Sequence, residues 1–195
     1  MERSHLAVRV APFDLPLDVV RQELNRLRHP FRIAVTRAKN PFNIGAIIRV
    51  AHSFLVREII LIGKTPYYER AAMGMQRYEN ITEIDDEAAF VAHAKKENWT
   101  LVAFEKDHAQ CGLWDAPMPR DAVLVFGNED DGISQSILEA ADVVAAIPMY
   151  GINHSYPVTA AASMAMAEWA RRYAYNGLLT EEQPQRAITD AQPHP

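Results

Sequence analysis

The sequence predicts an α/β protein built on one open parallel sheet with helices on both faces. Three observations lead there. Five short runs are apolar at nearly every position and rich in β-branched residues, as in strands buried on both sides. Helical spacings of apolar residues alternate with those runs. No internal repeat and no second domain is discernible in the 195 residues, a length sufficient for one domain with a sizeable core. Alternating strands and helices imply parallel pairing with crossovers above and below the sheet. Ligands of such sheets bind beyond the carboxyl ends of the strands.

Met1 to Pro16 reads as a lead-in with two prolines. Asp14-Leu15-Pro16-Leu17 then opens an amphipathic helix to about Arg28, with Leu17, Val20, Leu24 and Leu27 on one face. Arg21, Arg26 and Arg28 punctuate it, so the helix either packs on the domain or offers its arginines to a nucleic acid. Strands are predicted at Phe31–Thr36, Glu58–Ile62, Thr100–Phe104, Ala122–Phe126 and Val143–Ile147. Helices are predicted at about Ile44–Phe54, Asp86–Glu97 and Gln135–Ala141, with a shorter one near Arg70–Arg77 and a last one over Val158–Tyr175. The organisation expected is an N-terminal extension over 1–30, the α/β domain over 31–177 and a disordered tail over 178–195, the last holding three prolines among polar residues.

Composition narrows the class. Hydrophobic residues make up 49% and charged residues 23%, as in ordinary globular proteins. The single cysteine, Cys111, has no internal partner, which points to a reducing compartment. No signal peptide follows Met1, and no run approaches the roughly 18 apolar residues of a membrane span. A soluble cytoplasmic protein without membrane contact is expected. The net charge of −5 is unevenly spread. Residues 1–78 carry 13 Lys/Arg against 6 Asp/Glu, and the remainder carries 7 against 19. Such a chain can present a basic face despite an acidic total, although chance clustering of surface charge gives the same count.

Unusual residues collect after three strands. The first segment is Asn40-Pro41-Phe42-Asn43-Ile44-Gly45-Ala46-Ile47-Ile48-Arg49. Asn43 suits a helix cap, Gly45 suits a close approach to the backbone, and Arg49 stands among apolar residues as if awaiting an anion. A capped helix with one solvent-facing arginine fits the same pattern. The second segment is Phe126-Gly127-Asn128-Glu129-Asp130-Asp131-Gly132-Ile133-Ser134. Gly127 would let a ligand lie against the strand end, Glu129 would stand at the mouth of the site, and Ser134 could cap the next helix. Its three adjacent carboxylates lack the spacing of a calcium loop, and no metal is expected. An ordinary acidic strand-to-helix turn reads alike. The third segment runs from Ile147-Pro148-Met149-Tyr150-Gly151 through Ile152-Asn153-His154-Ser155-Tyr156-Pro157 into a helix of small residues. It offers backbone carbonyls and N–H groups to a flat heterocycle, and Pro157 fits the start of the helix. A tight connection into a buried helix is the plainer account.

Together the segments resemble the three signature motifs of the SpoU/TrmH family of RNA 2'-O-ribose methyltransferases, over about residues 31–172. Asn43, Gly45 and Arg49 match N-x-G-x-x-x-R. Gly127, Asn128, Glu129 and Gly132 match G-N-E-x-x-G. Ile147-Pro148-Met149 with Gly151 and Ser155 matches the third. The resemblance implies a sheet whose C-terminal segment is threaded into a trefoil knot, S-adenosyl-L-methionine as cofactor, tRNA or rRNA as substrate, and a homodimer with its site near the subunit interface. It also implies cofactor binding by Phe104, Gly127, Ile147, Met149, Ser155 and Tyr156, and catalytic roles for Arg49, Asn43, Glu129 and Ser155. Arginine holds its proton too tightly to be a base in water, so Arg49 would act by orienting the ribose or a substrate phosphate. Arg32, Arg37, Lys39, Arg57, Lys64, Arg70 and Arg77 are candidates for phosphate contact.

One departure stands out. The third motif usually reads Ser-Leu-Asn, whereas here it is Ser155-Tyr156-Pro157, and proline lacks the amide of asparagine. Asn153 or His154 would have to substitute, or the chain is a catalytically impaired RNA-binding relative. A nucleotide-binding oxidoreductase ranks below both readings, since no G-x-G-x-x-G follows the first strand.

Overall fold

The computed structural model describes residues 15–37, 40–129 and 131–174. Seven strands form one sheet: β1 (Arg32–Thr36), β2 (Glu58–Ile62), β3 (Ile81–Ile84), β4 (Leu101–Phe104), β5 (Cys111–Gly112), β6 (Val123–Phe126) and β7 (Val143–Ala146). Their order is β3-β2-β1-β6-β4-β7-β5, and every pairing is parallel. The open parallel sheet flanked by helices is therefore present. The five predicted strands coincide with β1, β2, β4, β6 and β7, shortened by one residue in four cases. The two strands not predicted are β3 and β5, and neither is a continuous apolar run. In β3 the carboxylate of Glu83 faces solvent at one flank of the sheet, and β5 is two residues long.

Successive residues of a strand face opposite sides, so each strand feeds two cores. Ile33, Val35, Ile59, Leu61, Leu124 and Phe126 pack beneath α2 (Pro41–Ser53) and α5 (Val158–Tyr173). Ala34, Ile60, Ala103, Val123 and Val125 pack against α3 (Glu87–Lys96) and α4 (Gln135–Ala140). The N-terminal helix α1 (Leu17–Leu27) packs on the domain: Val20 and Leu24 are buried beside Leu55 and Tyr78. The chain just past α1 enters a buried ion pair. Arg28 Nη1 lies 2.7 Å from Glu79 Oε2, with side-chain exposures of 3% and 0%. Arg28 also donates to the carbonyls of Val56 and Tyr78, and His52 Nδ1 lies 2.7 Å from Glu79 Oε1.

Several local expectations are corrected. The helix expected near Arg70–Arg77 is two 3-10 turns, Glu69–Ala72 and Met75–Arg77. Left-handed backbone at Met73 and Gly74 separates them and prevents a continuous helix. The cap of α2 is Asn40, whose side chain accepts from the Phe42 N–H at 3.1 Å, and Asn43 lies inside the first turn. Pro41 occupies the position that needs no donor. Ser134 stands at the start of α4, but its hydroxyl meets that of Ser136 instead of a helix N–H. Residues 178–195 and Lys39 fall outside the described residues.

Helix α5 is tied down along its length. Trp169 is fully buried, stacks on Phe31 at 4.1 Å and donates from Nε1 to the Arg120 carbonyl. Arg172 donates to the carbonyls of Leu113, Trp114 and Ala116 and to Glu168. The hydrogen bond from Arg171 holds the Glu168 carboxyl below its ordinary value; Arg172 adds to the effect and burial opposes it. A depressed carboxylate contributes stability above its unfolded value, and that contribution is lost as pH falls through the folded one. Glu168→Gln should therefore unfold at lower urea than the parent at neutral pH. The gap between their midpoints should close on acidification below the usual carboxylate range. A gap that persists unchanged would remove the charge from the explanation.

Candidate active site at the carboxyl ends of β4, β6 and β7

A cavity of about 450 Å³ opens beyond the carboxyl ends of these three strands. It is built from four stretches of chain. Phe104 ends β4 and leads into Glu105, Lys106, Asp107 and His108. Phe126 ends β6 and leads into Gly127, Asn128 and Glu129, and Asp131, Gly132 and Ile133 follow in the same loop. Ile147 and Met149 follow β7, together with His154, Ser155 and Tyr156. Val158 and Ala161 of α5 close the wall. The Phe104 and Phe126 rings stack at 5.2 Å, nearly parallel, and give the cavity an apolar wall. Carboxylates of Glu105, Asp107, Glu129 and Asp131 stand around it.

The turn after β6 explains its own glycines. A Cβ on Gly127 would overlap the carbonyl of Gly132 and crowd the Ile133 nitrogen. Gly132 has φ +68°, a conformation that favours glycine, and a Cβ there would reach Glu105 Oε2 at 2.6 Å. Glu105 in turn accepts from the Ile133 N–H at 3.2 Å, which ties the β4 loop to the β6 loop. The close neighbour on the side where a Cβ would stand is thus the protein's own returning backbone, while Gly127 also lines the cavity. Gly45 behaves alike, since a Cβ there would lie 2.7 Å from both the Tyr68 carbonyl and the Ala71 side chain. Gly127→Ala should lower stability by about 1–3 kcal/mol, the usual cost of overpacking. Thermal unfolding followed by circular dichroism measures it, and an unchanged midpoint would show that the turn yields freely.

The predicted site residues distribute unevenly. Phe104, Gly127, Glu129, Ile147, Met149, Ser155 and Tyr156 all line the cavity. Asn43 does not, but its amide donates to Glu129 Oε1 and so joins the first motif to the second. Arg49 is exposed rather than embedded among apolar side chains, is not part of the cavity wall, and has no side-chain partner among the described residues. In the third segment the Tyr156 hydroxyl donates to the Pro148 carbonyl at 3.0 Å. The Asn153 amide donates to the Ser155 carbonyl at 3.2 Å, and His154 lines the cavity. Lining residues that sequence reasoning passed over include Glu105, Asp107 and His108, which form a polar run directly after a predicted strand, and Val158 at the start of α5.

The phosphate candidates are scattered. Arg32 pairs with Glu58 at 3.1 Å and lies over Trp99, and Arg37 pairs with Glu83 at 2.8 Å, so both are committed elsewhere. Lys64 faces Asp85 across an exposed pair. Arg57 immediately precedes β2 and Arg77 precedes β3, which puts them towards the amino ends of the strands, away from the cavity. Arg70 is exposed on the first 3-10 turn. No group of His, Cys, Asp and Glu among the described residues is arranged to hold a metal, and none of their helices is long and apolar enough to cross a membrane.

A parallel sheet with a mixed apolar and acidic cavity at its carboxyl edge defines a ligand-binding α/β protein. The sequence profile of the SpoU rRNA Methylase family matches residues 30–167, and the chain belongs to that family. Among curated relatives, the tRNA (guanosine(18)-2'-O)-methyltransferase of Aquifex aeolicus is 25% identical over 178 residues, covering 87% of this chain and 84% of its own. The crystal structure of the A. aeolicus TrmH/SpoU tRNA modifying enzyme superimposes with a TM-score of 0.70 at 26% identity, over 89% of this chain and 93% of that one. The AdoMet-bound rRNA methyltransferase from Sinorhizobium meliloti gives 0.69 at 25% identity, over 77% and 61%. The chain therefore spans less than two thirds of that last protein.

Proposed function

We propose that this chain transfers a methyl group from S-adenosyl-L-methionine to a ribose 2'-hydroxyl of tRNA or rRNA. The observation that carries the reading is the meeting of three separate segments at one cavity: Asn43 reaches Glu129, and Glu129 shares the wall with Gly127, Ile147, Met149, Ser155 and Tyr156. The residues present suit the cofactor. The cavity volume falls in the range of small-molecule sites. Its apolar side accepts a purine, and its four carboxylates complement a sulfonium charge. When bound, the cofactor supplies a methyl group that is already activated.

The chain's tasks are then to bind and to align. Phe104, Gly127, Ile147, Met149, Ser155 and Tyr156 hold the cofactor. Asn43 and Glu129 shape the entry, and Ser155 faces the acceptor. Arg49 orients the ribose or its phosphate, which brings the hydroxyl into line and eases loss of its proton. An exposed Arg49 off this chain's cavity wall supports a homodimer, in which the arginine serves at the subunit interface. The insertion of β6 between β1 and β4, followed by the return of α5 onto α2, supports the trefoil knot expected of the C-terminal half. The catalytic unit spans 31–177 with 1–30 as an extension and 178–195 as a tail, and the protein works in the cytoplasm. Catalytic impairment through Pro157 finds no support in the relatives.

Calorimetric titration with S-adenosyl-L-methionine, followed by mapping of 2'-O-methyl sites in total RNA with and without the gene, tests the reading. Cofactor binding plus the loss of one tRNA or rRNA methylation site is expected. Absence of cofactor binding would overturn it.

A further inference from the structure

We infer that Phe42 and Tyr68 form a stacking platform for an unpaired nucleobase of the substrate RNA, beside the mouth of the cavity. The inference rests on the RNA-directed reading above. Phe42 is 55% exposed and Tyr68 38%, yet their rings lie 4.6 Å apart. Two large aromatics left in water forgo the burial that would stabilise them, so a partner that covers them is the economical account.

The pair is held on a stiff frame. The Asn40 side chain caps the Phe42 N–H, and the Tyr68 N–H donates to the Pro41 carbonyl at 2.9 Å. Gly45 lets the turn carrying Tyr68 seat directly on α2, with the Tyr68 carbonyl 2.7 Å from where a side chain would begin. Backbone fixed in this way leaves only the side-chain torsions of the two rings to be ordered on binding. Asn43, next to Phe42, bonds Glu129 on the cavity wall, so the platform adjoins the place where a reacting ribose would enter.

Charge selects the occupant. Arg49 lies two turns along the same helix and Arg70 two residues beyond Tyr68; both are exposed, with no side-chain partner among the described residues. Aromatic faces flanked by exposed guanidinium groups, Arg70 on this chain and Arg49 at the edge of the proposed subunit interface, suit a base and its phosphates. They suit an acidic or purely apolar protein surface less well, since the first lacks a stacking plane and the second leaves the cations bare.

The test uses the full chain and a short unstructured RNA oligonucleotide carrying 2-aminopurine. Binding should quench the fluorescence, and Phe42→Ala and Tyr68→Ala should each weaken RNA binding about tenfold and relieve the quench, in line with the stacking contribution of one base. Phe42→Trp should retain both. S-adenosyl-L-methionine affinity, measured alongside, should be unchanged in all variants. Parent-like RNA affinity and quench in both alanine variants would overturn the inference while leaving the methyltransferase reading intact. Dissociation of a dimer by Phe42→Ala in sedimentation would also overturn it, showing that a second copy covers the rings. Failure of the parent protein to bind the cofactor at all would sink the functional reading itself.

Discussion

Arg49→Ala should lower the rate of methyl transfer by about 10²–10⁴-fold, the range for loss of a group that assists proton removal or orients the acceptor. Cofactor affinity should stay within about twofold, because Arg49 is not among the residues that line the cavity. Stability should also hold. The side chain is exposed and engages no carboxylate among the described residues, so its truncation leaves no buried charge or cavity. Single-turnover kinetics with saturating cofactor would separate the two effects. Parent-like turnover in the variant would take Arg49 out of the reaction. A large rise in the cofactor dissociation constant would instead make it a cofactor-binding residue.

Glu79→Ala should cost about 3–5 kcal/mol of stability, the usual penalty for stripping the partner from a buried charge. The Arg28 guanidinium is almost fully enclosed and has Glu79 as its counter-charge. Its remaining hydrogen bonds, to the carbonyls of Val56 and Tyr78, satisfy donors but do not neutralise it. His52 loses the same partner. The exposed pair of Arg26 with Glu23 is the natural control, and its removal should change stability by less than about 1 kcal/mol. Urea denaturation measures both. A small loss in Glu79→Ala would mean that Arg28 swings out to water and that α1 is only loosely seated.

Much of the fold could be read from the chain. Strand β2 falls where the run Glu58–Ile62 placed it, because every residue after Glu58 is buried and apolar. Strand β3 escaped notice because Ile81-Thr82-Glu83-Ile84 is half-polar and stands at an edge, where burial imposes no apolar run. For Arg49 the solvent-facing alternative left open by the sequence is the one the fold adopts. Ile44, Ile47, Ile48 and Ala51 share the buried face of α2, and the same periodicity turns Arg49 outward. Gly45 and Gly127 announced close approaches correctly, yet no sequence states what approaches, and here it is backbone. The loop from Glu105 to His108 carries no spacing signature, so its place at the cavity emerges only when β4 is set beside β6 and β7.

The wall of the cavity contributed by Val158 and Ala161 carries a temporal consequence. A ribosome makes a chain in one direction, and every strand of the sheet precedes these two side chains. A nascent polypeptide can thus assemble its scaffold early and still lack a closed pocket until the last helix emerges and seats Trp169 against Phe31. A chain that stalls before that point has the sheet but lacks the wall that Val158 and Ala161 provide.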